Sequence, residues 1–519
     1  MQCNWNDQSK RGVVSRQRIF PLCRKSIALG FCTIVLLALT GCAVGPDFVR
    51  PDPPAVDRYV PEEQTLIIVP VNGQAQHFAL DAEVVANWWR LFKSPKLDAL
   101  VQEAISHNQS LQAAQASLQR SQENLRAGYG IFYPQVDLAA GLSRQRFSAA
   151  RFGSPASSIF NLLTMSTTVS YALDVFGGQR RAVEGLGAQR DFQHYTVLAA
   201  YLTLSGNIVN TVIARAAYAA QIAATRKLIE IQQEQIAIAE TQVQAGIVAY
   251  ASVVDLKAKL AALQATLAPL EQKLSQTEHL LSTLTGHAPG ERMLAQVDLD
   301  EITLPADLPV SLPSKLVRQR PDILAAEATV HENSANIGIA TAELLPSFTL
   351  SGTYGQNTRN LADVFMSSGN FWSVGANIVA PLFHGGTSWL HRKAAIAAYQ
   401  QSLANYKQTA LDALAQVADI LLALEHDAEA LRSYAQQLDL TQESVHLAQT
   451  NYQAGLVNYS YVLSIQSQFF QAKLAYLQVQ AQRLQDTAAL FVALGGGWWN
   501  DGKQEESLLK PEVFVNFRP

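Results

Sequence analysis

Alternating apolar and polar residues follow two prolines, Pro134 and Pro346, and predict four β-strands in two pairs. The positions on the predicted apolar face are Val136, Leu138, Ala140 and Leu142; Thr167, Val169, Tyr171 and Leu173; Phe348, Leu350 and Tyr354; Trp372, Val374, Ala376 and Ile378. Strands of about ten residues with one apolar face have the length that crosses a bilayer at a tilt. For any single strand, a half-buried sheet of a soluble protein is the alternative.

Aromatic residues gather near the ends of these strands, as in the interfacial girdles of membrane barrels. On one side they are Phe132, Tyr133, Phe176 and Phe383; on the other they are Phe147, Phe152, Phe371 and Trp372. The sequence therefore predicts transmembrane β-strands.

Helical periodicity dominates the rest of the chain. Residues 179–245 and 387–454 are rich in Ala, Gln, Leu and Ile and contain no proline, so each predicts a helix of about 100 Å. A shorter helix follows each, at 253–284 and 462–493, and two helical pieces precede each strand pair, at 97–108 with 110–128 and at 314–318 with 322–342. Each shorter helix is only half as long as the long helix beside it. We therefore expect the helical stretch that precedes the strand pair in each repeat to stack on the end of the shorter helix.

The chain is an internal duplication. The segment "TQVQAGIVAYASV" around Gly246 recurs as "TNYQAGLVNYSYV" around Gly455, 209 residues later. The order of helices and strands also repeats, which predicts one repeat at 97–300 and a second at 301–500. A segment at 42–96 precedes the repeats, and a tail at 501–519 follows them.

The N-terminus predicts an exported protein. A basic region precedes an apolar run at 27–39, which is too short for a membrane helix and is typical of a signal peptide at 1–41. All four cysteines lie before residue 43, which excludes a disulfide framework. The run ends in Leu39-Thr40-Gly41-Cys42, which resembles the bacterial lipobox, so Cys42 is the predicted lipidation site. A signal peptide cut nearby without lipidation is the alternative.

Composition limits the possible functions. The chain has 48% hydrophobic and 16% charged residues, which is apolar for a soluble protein of 519 residues. A net charge of -4 gives no footprint for nucleic acid. The sequence contains no P-loop, zincin or nucleophile-elbow motif, so we expect no enzyme activity, catalytic residue or cofactor. His384 and His391 are interpreted as polar rim residues, and no metal site is predicted.

Several segments together resemble the outer-membrane efflux proteins, the TolC-like outer membrane factors, and among them the NodT-type lipoprotein branch. They are "AVGPDFVRP" after Cys42, "NWWRLFKSPKLDALV", "LPSKLVRQRPDILAAEATV", "IGIATAELLPSFTLSG", "PLFHGG" and the two glycine turns. The resemblance implies an α+β membrane protein that trimerises, with four strands per subunit in a 12-stranded barrel and the helices in a 12-helix periplasmic tunnel. It also implies an irregular belt formed by residues 305–313 and the chain after residue 497.

The resemblance places the two glycine turns, Gly246 and Gly455, at the periplasmic tips, where the tunnel entrance closes. The family pattern has Asp nine positions after the glycine of the second turn, but Ser464 stands there; the first turn keeps Asp255. An acidic gate is therefore open to question. We expect the constriction to use Ser460, Tyr461 and Ser464, with Asp255 nearby.

The predicted function is that of a lipid-anchored outer-membrane channel in a tripartite efflux pump. It would passively conduct drugs or other small toxic compounds from a periplasmic adaptor (membrane fusion) protein and an inner-membrane RND-type pump to the exterior. One alternative with the same fold is an exit duct for type I protein secretion. An alternative of another class is a structural coiled-coil lipoprotein without a pore.

Overall fold

The computed structural model describes residues 43–56, 58–60, 67–71, 74–147, 157–291, 295–364 and 366–509. The predicted signal peptide and Cys42 lie outside these residues. The chain divides into two compact units. The sheet unit contains Ile131–Arg181, Gly338–Leu390 and the described residues up to Gly45, and the helical unit contains the rest.

The helices, in chain order, are α1 (Pro95–His107), α2 (Gln109–Gly128), α3 (Gly178–Gln244), α4 (Tyr250–Leu284), α5 (Pro313–Gln319), α6 (Pro321–Ala342), α7 (Thr387–Gln453), α8 (Tyr459–Ala493) and α9 (Gly502–Leu509). The strands are β1 (Ile67–Val71), β2 (Gln74–Leu80), β3 (Gln135–Phe147), β4 (Ser158–Leu173), β5 (Asp307–Val310), β6 (Ser347–Thr358) and β7 (Asn370–Val379). The four predicted strands are present as β3, β4, β6 and β7.

The sheet unit contains one antiparallel sheet in the order β3-β4-β6-β7. Its register places the predicted apolar positions on one face, because residues directly opposite each other share a face. Val136 lies opposite Val169, and Tyr354 lies opposite Trp372. The other face carries small polar side chains, where the Thr168 hydroxyl lies 3.3 Å from that of Thr353. The predicted alternation is confirmed.

The apolar face of this sheet is exposed within one chain. Val136, Leu138, Leu142, Trp372 and Val374 are all exposed. An uncovered apolar face of this size is typical of a surface that meets lipid or another protein.

Aromatic residues lie at both ends of the sheet. Tyr133 precedes β3, Phe176 follows β4 and Phe383 follows β7, which is one end because the strands are antiparallel. Trp372 lies near the start of β7, at the other end. Phe152 lies outside the described residues.

Two 67-residue helices, α3 and α7, form the frame of the helical unit. They begin and end within one residue of the predicted bounds. Each lacks proline, and each is rich in alanine and unbranched side chains that form helices readily. A stretch of α3 is long and apolar enough to cross a membrane, but 67% of it is buried inside the protein. This apolar character therefore comes from packing between helices.

The shorter helices stack end to end, as the sequence predicts. Asn108 caps α2, because its side-chain oxygen accepts a hydrogen bond from the Leu111 N–H, and its amide donates to the Leu284 carbonyl at the end of α4. In the second repeat, Arg320 donates to the Ala493 carbonyl at the end of α8, 2.9 Å away, just before α6 begins. Helix α4 therefore continues into α2, and α8 into α6.

The mainly aliphatic core of the helical unit includes an aromatic cluster. Trp88, Trp89 and Phe92 lie in a 3-10 turn and are fully buried, and the Trp88 ring stacks on Phe491 of α8 at 5.5 Å between centroids. Such stacked aromatic pairs add stability beyond the area that they bury. The two tryptophans of the "NWWRLF" segment therefore stabilise the core of the helical unit.

The expected irregular belt is wrong in part. Strand β5 lies within residues 305–313 and pairs in parallel with β2, which itself pairs with β1, so a three-stranded sheet forms there. The chain after Gly497 forms a 3-10 turn, Trp498–Asn500, and helix α9. β5 is short and contains a proline, so its alternation is too brief to read from sequence.

Candidate functional site

The two helical hairpins, α3–α4 and α7–α8, turn at the predicted glycines. At the first tip Gly246 has a φ of 71°, its N–H donates to the Val243 carbonyl, and the Ile247 N–H donates to the Gln242 carbonyl. At the second tip Gly455 has a φ of 75° and makes the equivalent bond to Tyr452. This pattern ends a helix in the left-handed conformation that glycine adopts without strain.

The tips differ in how the returning helix begins. At the second tip the Asn458 side chain accepts a hydrogen bond from the Tyr461 N–H at 2.9 Å and caps α8. At the first tip Ala249 holds the same position and provides no side-chain cap. An Asn-to-Ala difference at an N-cap costs about 1 kcal/mol, so the first tip has the weaker helix start.

The four gate candidates lie on α4 and α8, just after the turns. Tyr461 is exposed, Ser460 and Ser464 are partly exposed, and the Ser464 hydroxyl donates to the Tyr461 carbonyl one turn before it. Asp255 lies on α4 and pairs with Lys259 at 2.8 Å. In the described part of the chain no hydrogen bond or ion pair joins Asp255 to the three residues of the second tip.

The charges at the tips are few and paired. Besides Asp255 and Lys259, the first tip carries Lys257 and Glu240, whose charged atoms are 2.7 Å apart. The hydrogen bond to Glu240 raises the pKa of Lys257. The second tip has no charged side chain between residues 447 and 472. The net charge of the two tips in one chain is therefore close to zero.

A tyrosine cluster that sequence reasoning missed joins the two hairpins near the tips. Tyr459 of α8 hydrogen-bonds to the Glu234 carboxylate of α3, and this bond raises the pKa of Tyr459. The Tyr452 ring of α7 lies 5.3 Å from the Tyr459 ring. The repeated tyrosine in "AGLVNY" was visible in the sequence, but its partner on a distant helix was not.

A pair of carboxyl groups joins α7 and α8 further along the second hairpin. Burial, and then the hydrogen bond and charge of Asp486, raise the pKa of Asp427 to about 7. The nearby Arg483 is buried and donates to Gln76 and to the Leu424 carbonyl. The folded state therefore favours the protonated form of Asp427 up to about pH 7.

The residues after the predicted lipid anchor are held in place. In the sheet unit the Val44 N–H donates to the Phe176 carbonyl at 2.9 Å, and Arg181 donates to the Val44 carbonyl. In the helical unit the Phe48 ring stacks on His331, and Arg50 pairs with the buried Glu327. Residues 43–50 are thus fixed on the protein.

No group of three His, Cys, Asp or Glu side chains that could hold a metal ion occurs in the described ranges. His384 and His391 flank the start of α7. The candidate site thus consists of two glycine turns, a nearly neutral surface at the tips and a contact between the hairpins.

A sheet with an exposed apolar face, joined in one chain to paired helical hairpins, is the architecture of the TolC-like outer-membrane channels. The model of the outer membrane efflux protein family matches residues 100–287 and 312–496, and the chain belongs to that family. The resemblance seen in the sequence is confirmed, and the protein is an outer-membrane protein.

Similar proteins include the pyoverdine export outer membrane protein OpmQ of Pseudomonas aeruginosa, which is 28% identical over 81% of this chain and 89% of its own. The cation efflux system protein CusC of Escherichia coli O6:H1 is 27% identical over 91% of this chain and 98% of its own. Among solved structures, the outer-membrane channel OprN is 25% identical, with a TM-score of 0.76 over 88% of this chain and 100% of its own.

Proposed function

We propose that this protein is the trimeric exit channel of a tripartite efflux pump, and that it conducts small compounds across the outer membrane without chemistry of its own. One observation carries the proposal. The four-stranded sheet has an exposed apolar face, and in the described chain its outer strands, β3 and β7, each pair on one side only. A sheet of this kind is incomplete in a bilayer.

The physical reason is the absence of water in the bilayer core. Each unpaired N–H or C=O at an open sheet edge costs several kcal/mol in lipid, so strands that cross a membrane close into barrels. Four strands are too few to close a barrel, because the smallest known barrels have about eight. Three copies supply twelve strands, which agrees with the trimer that the family resemblance implies.

The helical hairpins suit the periplasmic part of such a channel. Their tips combine glycine turns with a contact between Tyr459 and Glu234 that links the two hairpins of one chain. Breaking this contact would let the hairpins separate. We propose that the entrance opens in this way, with Ser460, Tyr461 and Ser464 at the constriction.

The charge at the tips also limits which compounds the channel would conduct. Asp255 is paired with Lys259, and the second tip is uncharged, so the entrance of this chain lacks the strong field of an acidic ring. This favours small neutral or amphiphilic compounds. The relatives are named for pyoverdine export and cation efflux, which supports small-molecule efflux over protein secretion.

Energy and substrate reach the channel from partners. The sequence has no nucleotide-binding motif, so we propose an inner-membrane RND-type pump as the energy source and a periplasmic adaptor protein as the contact at the tips. Neither enzyme activity nor a cofactor is required.

Lipidation of Cys42 would complete the attachment to the outer membrane. Two or three acyl chains hold a protein in a membrane essentially permanently, because each buried CH₂ contributes about 0.8 kcal/mol. Residues 43–50 are fixed on the protein, so the lipid would have a defined position. Replacing Cys42 by Ser should abolish palmitate labelling, and continued labelling would exclude this anchor.

The channel proposal is tested with purified protein in planar bilayers. We expect heat-modifiable trimers on gels, and ion conductance that rises when the tips are loosened by Tyr459→Phe. A folded protein that stays monomeric and does not conduct would contradict the proposal and favour a structural lipoprotein. Drug sensitivity of a deletion strain then identifies the class of compounds, while loss of a secreted protein would favour the secretion alternative.

A further inference from the structure

The two repeats can be compared residue by residue in the helical hairpins. Helix α3 spans Gly178–Gln244 and α7 spans Thr387–Gln453, so every bound is displaced by the same 209 residues. The same displacement relates α4 to α8. Each position in the first hairpin therefore has one equivalent in the second, and the burial of the two can be compared.

Equivalent positions on α3 and α7 differ sharply in burial. Leu411, Ala415, Leu422 and Leu440 lie on one side of α7, and we call them the α7 stripe. The relative exposure of its leucines is 57%, 44% and 56%. The equivalent residues of α3, Leu202, Ile213 and Ile231, are 8%, 0% and 5% exposed. The same face is covered on α3 and uncovered on α7.

Helix α8 of the same chain covers this face of α3. A side chain added at Gly206, the equivalent of Ala415, would meet Val492 of α8 at 2.7 Å. At the other end of the face, Glu234 accepts the hydrogen bond from Tyr459 of α8. The two contacts lie near the two ends of this buried face.

The covering side of α8 has an uncovered equivalent on α4. Leu463 and Leu477 are buried on α8, at 0% and 6% exposure. Their equivalents on α4, Val254 and Ala268, are both exposed. In one chain α8 packs on α3. The equivalent surfaces of the other two helices, on α4 and on α7, are both exposed.

We propose that α4 of a second copy of this chain covers the α7 stripe, and that Tyr250 of one copy donates a hydrogen bond to Glu443 of the next. This inference rests on the proposed function, because it requires subunits arranged in a ring. It adds the surfaces through which the copies meet and a link between subunits near the entrance.

The two linking residues follow from the repeat. Tyr250 stands 209 residues before Tyr459, and Glu443 stands 209 residues after Glu234. Both Tyr250 and Glu443 are exposed in one chain. In a ring where first and second hairpins alternate, the contact of α8 with α3 recurs between subunits as a contact of α4 with α7.

Cysteine cross-linking tests the link directly. After the signal peptide the chain has no cysteine except Cys42, so introduced thiols react without a background. The full-length protein carries Tyr250→Cys together with Glu443→Cys and is treated in the outer membrane with a short bis-maleimide reagent. We expect covalent dimers and trimers on reducing gels.

A matched control uses Tyr250→Cys with Gln449→Cys. Gln449 is also exposed on α7, but six residues along a helix turn it well away from the side of Glu443. We expect this pair to give at least about fivefold less covalent oligomer, as a hydrogen-bonded pair lies much closer together. A second control, Glu234→Cys with Tyr459→Cys, should cross-link within one chain and give no covalent oligomer.

Two substitutions on α7 test the stripe independently. Leu440→Lys places a charge in the proposed contact and should raise the dissociation concentration of the trimer about tenfold or more. Tyr434→Lys changes another exposed residue of α7 that lies off the stripe, and it should change that concentration less than about twofold.

The outcomes separate the two proposals. Trimers that form in detergent, with equal cross-linking by Tyr250→Cys with Glu443→Cys and by the Gln449→Cys control, would refute this subunit contact and leave the channel intact. Protein that stays monomeric before any substitution would refute the trimeric channel itself. Selective cross-linking through Glu443→Cys, with loss of trimer in Leu440→Lys only, supports the inference.

Discussion

Replacing Gly455 by alanine should loosen the second tip by a backbone effect alone. Gly455 has a φ of 75°, and a Cβ atom at this position would have no neighbour within 4 Å. Steric clash is therefore absent, and the cost is that of forcing an L-residue into the left-handed region, about 1–2 kcal/mol. Asparagine tolerates this region better, so Gly455→Asn should cost less.

A control with the opposite sign is available in α3. Gly187 lies inside that helix, and a Cβ atom there also has no neighbour within 4 Å. Alanine at a helix interior is favoured over glycine by about 0.5–1 kcal/mol, so Gly187→Ala should stabilise the protein slightly. The same chemical change in equally open space thus gives opposite results.

Hydrogen exchange followed by mass spectrometry measures the effect where it arises. A loss of 1–2 kcal/mol in local opening free energy corresponds to about 5–30-fold faster exchange. The affected amides are those of Gly455 and Leu456, which donate to carbonyls in the last turn of α7. Barrel insertion should be unchanged, while adaptor docking or gating is impaired. Unchanged exchange in Gly455→Ala, or an equal acceleration in Gly187→Ala, would refute the reasoning.

Three further predictions concern charge and hydrogen bonding. Lys259→Gln should free the Asp255 carboxylate and raise cation selectivity in bilayer recordings, with stability changed by less than about 1 kcal/mol because the pair is exposed; unchanged reversal potentials would place Asp255 away from the pore. Tyr459→Phe should raise the open probability through loss of its bond to α3, and single-channel recordings that match the wild type would argue against that bond as a restraint. Asp427 has its pKa raised to about 7 by burial and by Asp486, so the folded state holds more protons than the unfolded state between about pH 4 and 7, and stability falls as pH rises through this range. Thermal melts of Asp427→Asn should show a shallower fall, and an equal slope would contradict a protonated Asp427 in the folded state.

The long helices and the membrane sheet could be predicted because their patterns extend over many residues. In α3 and α7 no proline interrupts the helix, and in β3, β4, β6 and β7 the alternation continues for ten residues or more. Both glycine turns could also be placed, since the left-handed position that ends a helix is usually occupied by glycine, which is visible in the sequence. Sequence periodicity therefore recovered the main architecture.

Features that depend on distant residues could not be predicted in this way. β5 has four residues and is stabilised by pairing with β2, far away in sequence, so its own pattern carries little information. The partnership of Tyr459 with Glu234 likewise depends on how α8 lies on α3. Of the candidate site, the turn residues could be located from sequence, while the contacts that restrain them required coordinates.

The joints between stacked helices have a mechanical consequence. Where α4 meets α2 and α8 meets α6, the connection between helix ends includes side-chain hydrogen bonds from Asn108 and Arg320, with no peptide bond between them. Beside them, α3 and α7 run without a break. A twist imposed at the tips would therefore be carried by the unbroken rods and relieved by small rotations at the joints. Within each hairpin one helix is continuous beside the joint, so a rotation there would break side-chain hydrogen bonds while every backbone turn stays intact.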